Sequence, residues 1–312
     1  MSLKGAGEAG GITVRVPATS ANLGPGFDSF GLALGLYDVV TAQIRPEGLA
    51  IEVSGAGAET ASAAEQHLVV RAMRTAFAHL GAQPPGLTLA CVNEIPQGFG
   101  LGSSAGAIVA GLLAARALAA AESELTDQDI LRLATRMEGH PDNVAACLAG
   151  GLTIAWTPVS ATPGAQGARV ARLTPLPGIG AVLCVPGTPV LTNAARAVLP
   201  AEVPHAAAAA NSARAALLVA ALTARPDLLM DATEDFLHQR YRAPAMPATA
   251  TLIDALRTAG IPAVVSGAGP SVLAFVQDGT GPKAGDISAI AGPDWQVQPL
   301  AIDTTGATVL PA

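Results

Sequence analysis

The sequence predicts an α+β fold in two domains, and three observations carry that expectation. A chain of 312 residues exceeds one domain of ordinary size. Its first half reads as strands followed by helices. Its second half alternates helices and strands beyond Thr162-Pro163-Gly164-Ala165-Gln166-Gly167, the best candidate linker or long loop. The expected division is therefore 1–161 and 168–312.

The elements follow in order. Ile12 to Val16 alternates as a strand, Pro17 is expected to stop it, and a polar, Gly-rich loop then runs to Asp28. Leu32 to Ile44 and Leu49 to Val53 read as strands around the turn Arg45-Pro46-Glu47-Gly48. His67 to Leu80 has helical spacing and ends at Gly81. Leu87 to Val92 is a strand, and Ala107 to Ala121 reads as a buried Ala/Leu-rich helix. Thr126 to Glu138 is a helix capped by Thr126, with Pro141 just past its end. Leu152 to Trp156 and Ala181 to Val185 are strands, Thr192 to Val198 a short helix, and Ala206 to Thr223 a long one. Ala248 to Ala259 is helical up to Gly260. Strands Ala263 to Val265 and Val272 to Val276 enclose a Gly loop, Ser266-Gly267-Ala268-Gly269-Pro270-Ser271.

Composition narrows the partners. Half the residues are hydrophobic but only 3% aromatic, so the cores must be built from Ala, Val, Leu and Ile. A net charge of −7 and a pI near 5.2 argue against nucleic acid or an anionic membrane. Met1-Ser2-Leu3-Lys4 leads into Gly/Ala without an apolar signal core, and no uninterrupted apolar run reaches the ~20 residues of a bilayer span. Cys91, Cys147 and Cys184 are far apart in apolar runs, which suits reduced, buried thiols in a cytoplasmic protein. Monomer and homodimer both remain open.

The most informative stretch is Pro96-Gln97-Gly98-Phe99-Gly100-Leu101-Gly102-Ser103-Ser104-Ala105-Gly106, between a strand and a helix. Alternating glycines allow tight turns and expose backbone N–H groups, and Ser103 and Ser104 sit where the helix would be capped. A helix N-terminus there suits an anion, most plausibly phosphate. Three other readings compete: a plain strand–turn–helix connection, a serine-hydrolase elbow with Ser104 as nucleophile, and a dinucleotide fingerprint from Gly100 to Ala105. The fingerprint lacks its acidic residue about 20 positions on. The elbow is strained by the glycines between strand and serine, although His238 follows in the right order.

Three further polar islands interrupt the apolar chain. Pro17 to Asp28 alone is an ordinary loop. Glu138-Gly139-His140-Pro141-Asp142-Asn143 is a helix stop, with Asp142 or Asn143 capping the next run, or else offers a carboxylate to Mg²⁺. Ser266 to Ser271 alone is a hairpin turn.

Together the four islands resemble the GHMP kinases, most closely the homoserine kinases, from Ile12 to about Val276. Val14 to Asp28 is similar to the homoserine kinase opening motif. Pro96 to Ala105 resembles the P-x-x-x-G-L-G-S-S-A phosphate loop, Glu138 to Asn143 the E-G-H-x-D-N segment, and Ser266 to Ser271 the third motif bordering that loop. Val185 to Pro200 and Asp235-Phe236-Leu237-His238-Gln239-Arg240-Tyr241-Arg242 are similar to homoserine kinase stretches that each carry a substrate-holding arginine. The chain departs at Phe99, at Gly106 in place of an alanine, and at His67, which stands for an asparagine near the adenine.

The resemblance implies a ribosomal protein S5 domain 2-like N-terminal domain and a ferredoxin-like C-terminal domain, with ATP and L-homoserine meeting between them. It implies phosphate contacts from Pro96, Gly98, Gly100, Leu101, Gly102, Ser103, Ser104, Ala105, Gly267 and Gly269, and Mg²⁺ on Ser104 and Glu138. Asn22, Asp28, His140, Asn143 and Thr192 would position homoserine, and Arg196 and Arg242 would clamp its carboxylate. Asn22, Asp28 and Arg196 are the expected catalytic set. No Asp–Lys proton-accepting pair is evident, and positioning with charge stabilisation suffices for phosphoryl transfer. The implied activity is an ATP-dependent kinase of threonine biosynthesis. The rivals are a kinase for another small alcohol, a hydrolase using Ser104, and a non-catalytic nucleotide-binding module.

Overall fold

A computed structural model describes residues 10–60, 64–121, 124–158, 167–188, 197–277 and 282–311. Its first sheet has seven strands: β1 Ile12–Ala21, β2 Phe30–Arg45, β3 Gly48–Gly55, β4 Gly86–Asn93, β5 Leu152–Trp156, β6 Arg169–Leu173 and the last strand, β11 Thr308–Pro311. The order β11-β1-β2-β4-β3 places β4 between β2 and β3, so the turn after Arg45 does not make a hairpin: β3 pairs β4 in parallel. Because β6 and β11 join this sheet, it draws strands from both sides of residues 161–168. Neither strand is evident from sequence alternation.

Helices α1 Leu68–His79 and α2 Ser103–Ala119 share one core with that sheet, α4 Asp142–Ala149 lies against β1, β2 and β5, and α3 Asp127–Glu138 packs outside them against α2 and α4. Gly111 lets α2 approach α1 closely, since a Cβ there would collide with the Val69 carbonyl. Thr126 caps α3 as expected, in a capping box with Asp129.

The second sheet has order β10-β7-β9-β8 and is antiparallel throughout (β7 Ile179–Pro186, β8 Ala263–Val265, β9 Val272–Gln277, β10 Trp295–Leu300). Period-2 alternation divides its side chains. Ala181, Leu183 and Val185 face α5 His205–Thr223 and the first sheet. Val182 and Cys184 face the opposite core, built with α8 Pro247–Thr258 and α9 Ala284–Ala291. Two short helices, α6 Leu229–Ala232 and α7 Gln239–Arg242, lie between α5 and α8. Helix α5 is the one described helix long and apolar enough to cross a bilayer. Here its Leu218, Ala221 and Leu222 fill the shared core, and Asn211 and Arg214 hold neighbouring loops. All three cysteines are buried and free, and burial pushes the Cys91 thiol up to about 11.

Two expected boundaries are corrected. Pro17 does not stop β1, which continues to Ala21 through a register shift between Pro17 and Ala18. A bulge tolerates proline because the ladder is already broken there. Ser103 and Ser104 do not cap α2: they are its first two residues, and the cap is Gly102.

Candidate active site

A cavity of about 470 Å³ opens between the phosphate-type loop, loop 22–28, the start of α4 and the Gly267 turn. The loop end follows from glycine chemistry. Gly98, Gly100 and Gly102 have φ of 80°, 74° and 70°, a region that side chains other than glycine rarely enter. A Cβ at Gly100 would collide with the Ser266 carbonyl, and one at Gly102 with the Thr19 hydroxyl. Ser266 donates to the Gly100 carbonyl at 2.8 Å and lies 2.9 Å from the Ser20 hydroxyl, which ties the third motif to the loop and to β1.

With glycine at the cap position, the cap residue has no side chain to satisfy the first N–H groups of α2. They and the positive end of the helix dipole stand at the cavity beside Ser103 and Ser104, an arrangement that selects a multiply charged anion. Ser104 donates to Glu138 Oε2 at 2.7 Å. Two hard oxygen donors thus converge next to the anion site, which fits Mg²⁺ because that ion takes one or two carboxylates and completes its shell with phosphate oxygens and water.

The opposite side is made of side chains. Loop 22–28 holds Asn22, Leu23 and Asp28 at φ of 68°, 49° and 54°. Leu23 is the least tolerant of that conformation, and its fully buried side chain in the shared core offsets the strain. Asn22 donates to the Gly267 carbonyl at 2.8 Å and accepts from Asp28 N–H at 2.9 Å, so it clasps loop 22–28 to the Gly267 turn. Asn143 Oδ1 accepts from Thr19 at 2.8 Å. His140 Nδ1 lies 2.6 Å from Asp142 Oδ1, which also accepts from Asn143 N–H. The expected capping role of Asp142 or Asn143 is corrected: both lie inside α4, and Pro141 holds the cap position.

The segment before α7 shows why its residue types stand where they do. Asp235 accepts from the N–H groups of Leu237, His238 and Gln239, closing the turn that starts α7. Gln239 accepts from Val265 N–H and fastens α7 to β8. His238 and Arg242, four apart, share one face, and Arg242 is 2% exposed. A solvated surface charge is thereby excluded.

The cavity is lined by Asn22, Asp28, Pro96, Gly98, Gly100, Leu101, Gly102, Ser103, Ser104, Glu138, His140, Asn143, Arg242 and Gly267, all expected from sequence. Two expected contacts lie behind it. Ala105 is fully buried in the first turn of α2, and the Gly269 backbone packs against Gly100. Thr192 and Arg196 fall outside the described residues. Phe99 packs into the core shared by the two sheets and does not line the cavity.

Sequence reasoning missed Asp38, Thr19 and Asp142. Asp38 is buried at the cavity edge and accepts from Glu94 and Ile95 N–H, anchoring the turn that enters the phosphate loop. Burial pushes its carboxyl up while those two bonds pull it down. An aspartate inside an apolar strand was the available signal.

The hydrolase reading fails on geometry. Ser104 donates to a carboxylate, and His238 directs its two ring nitrogens at Gly24 O and Arg242.

Comparison with known proteins agrees with the geometry. Residues 67–151 match the GHMP kinases N terminal domain model and residues 213–286 the GHMP kinases C terminal model. The homoserine kinase of Streptomyces coelicolor is 56% identical over 97% of this chain and 96% of its own. That of Leifsonia xyli subsp. xyli is 49% identical over 96% and 91%. Among solved structures, homoserine kinase from Cytophaga hutchinsonii superposes with a TM-score of 0.82 at 25% identity, covering 99% of this chain and 100% of that one. A mevalonate kinase shares the fold, with a TM-score of 0.65 at 12% identity over 94% and 99%.

Proposed function

The chain belongs to the GHMP kinase family, in its homoserine kinase branch, and from that premise we infer that it transfers the γ-phosphoryl group of ATP to the side-chain hydroxyl of L-homoserine. The product is O-phospho-L-homoserine, an intermediate of threonine biosynthesis, and we place the reaction in the cytoplasm. The observation that carries this reading is the meeting, in one cavity, of an anion-binding helix terminus with a buried arginine and a set of hydrogen-bonding side chains suited to a small amino acid.

The loop from Gly98 to Ser104 receives the β- and γ-phosphates on backbone N–H groups, with Gly267 beside it on the cavity wall, while Ser266 and Gly269 brace it from behind. Ser104 and Glu138 would hold Mg²⁺, which when bound offsets charge on the phosphate oxygens. Arg242 holds the substrate carboxylate, with Arg196 as the second arm by family resemblance. A guanidinium fork suits a carboxylate better than an ammonium does. His140 and Asn143 bind the amino group and hydroxyl, with Thr192 joining them by family resemblance.

We assign Asp28, which lines the cavity and whose backbone N–H is held by the Asn22 clasp, to the hydroxyl side. We assign these residues to orienting the hydroxyl in line with the phosphorus, since positioning and charge stabilisation supply most of the catalysis in phosphoryl transfer.

The test is ATP-to-ADP conversion with homoserine, mevalonate, galactose, serine and threonine as acceptors. Homoserine should react fastest, and only with Mg²⁺ present. Faster turnover of mevalonate or galactose would overturn the substrate assignment.

A further inference from the structure

His238 is fully buried beside the cavity. Its Nε2 lies 2.8 Å from the Gly24 carbonyl oxygen and its Nδ1 3.1 Å from Arg242 Nη1. A carbonyl only accepts and a guanidinium only donates, so the two partners fix one tautomer: Nε2 carries the proton and Nδ1 presents its lone pair. Arg242 Nη1 also lies 3.2 Å from the Gly267 carbonyl, which accounts for both of its hydrogens and sets the plane of the guanidinium. Phe27 completes the cluster, with its ring 5.2 Å from the imidazole and 5.6 Å from Arg242 Cζ.

We propose that His238 is a positioning residue: in its neutral, Nε2-protonated form it ties the Gly24 backbone to the Arg242 guanidinium and so aims the arginine at the substrate carboxylate. The proposal rests on the reading of Arg242 as a carboxylate clamp. Without the imidazole, the arginine would keep its charge but lose the acceptor that fixes its fork, and loop 22–28 would lose its tether to α7.

The charged groups facing the ring are Asp235 from its own segment, Asp28 from loop 22–28, and Arg242. Asp235 Oδ1 lies 3.7 Å from Nε2. Burial, helped by the Arg242 charge, lowers the imidazole pKa against the two carboxylates, so the ring stays neutral at pH 7.

The experiment compares His238→Phe, which keeps the ring stack but no polar atom, with His238→Asn, whose amide oxygen takes the place of Nδ1. His238→Phe should raise KM for homoserine about 10-fold or more and change KM for ATP less than about 2-fold. His238→Asn should recover most of that loss. Added to Arg242→Ala, the Phe substitution should have little further effect. The proposal is overturned if both KM values rise together, if Phe and Asn behave alike, or if the effect persists in full on Arg242→Ala.

Nitrogen-15 NMR of the parental enzyme gives a readout independent of variant folding. An Nε2–H imidazole at pH 7 is expected, and an Nδ1–H tautomer or an imidazolium contradicts the proposal. Arg242→Ala assayed with homoserine and 3-amino-1-propanol separates the two layers. Equal impairment on both substrates defeats the clamp itself, whereas selective impairment with a silent His238→Phe defeats only the role of His238.

Discussion

The wall of the cavity proposed for phosphate, Gly98 to Ser104 with Ser266 to Gly269, presents mainly backbone, whereas the wall proposed for homoserine presents side chains from Asn22, Asp28, His140, Asn143 and Arg242. The first arises chiefly within one short segment, Gly98 to Ser104: three glycines at positive φ and a helix start, seven residues from end to end. The second requires β1, α4 and α7, separated by more than two hundred residues of chain, to meet. Backbone sites are therefore intolerant of any added atom, while side-chain sites lose one contact at a time.

Glycine substitution in the loop should break the comparison most severely. Gly100→Ala forces a Cβ toward the Ser266 carbonyl at a φ that costs about 1–3 kcal/mol even without the collision. Turnover should fall by about 10³-fold or more, while circular dichroism shows the fold retained. Glu138→Gln comes next. It keeps the shape and removes the charge beside Ser104, so kcat should drop about 10²-fold while homoserine binding without nucleotide changes little. Near-normal turnover at low Mg²⁺ would remove Glu138 from the metal site.

The side-chain wall should yield a narrower defect. Arg242→Ala is expected to raise KM for homoserine about 10- to 150-fold, the range of a lost charge-assisted hydrogen bond, with KM for ATP nearly unchanged. Lysine should restore part of the loss, because charge returns without the fork.

Legibility in the sequence followed the same division. The phosphate loop could be read from its glycines because local backbone chemistry dictates them. The roles of Asn22 and Arg242 entered through family resemblance, since nothing local in either segment reveals that both bond to the Gly267 carbonyl. Strands β6 and β11 were missed because only pairing reveals them: β6 pairs β5 across the stretch expected as a linker or long loop, and β11 returns from the far end of the described chain to β1. Pro17 misled because a bulge in β1, a tertiary feature, overrides the local rule.

Two smaller effects sharpen the contrast away from the chemistry. Gly106, an alanine in relatives by resemblance, sits in the first turns of α2 with only Val16 Cγ2 near, at 3.5 Å from a built Cβ. Gly106→Ala should stabilise by about 0.5–1 kcal/mol in a denaturant titration. Gly111→Ala in the same helix should destabilise instead, because Val69 stands in the way.

Stability should also fall as pH drops below about 6.5. His67 and His238 both titrate below that value in the fold, so the unfolded chain binds more protons there. Thermal melts from pH 8 to 5 should show full stability at the upper end and a decline below 6.5, flattened in His238→Phe.

The central claim is that one wall reads phosphate with backbone and the other reads an amino-acid carboxylate with a buried arginine. It is tested most directly by kcat/KM for homoserine and for 3-amino-1-propanol, which is homoserine without its carboxylate, in the parental enzyme and in Arg242→Ala. The account predicts that the parental enzyme strongly prefers homoserine and that Arg242→Ala largely abolishes the preference by losing rate on homoserine alone. An undiminished preference in Arg242→Ala, or equal losses on both substrates, would contradict it.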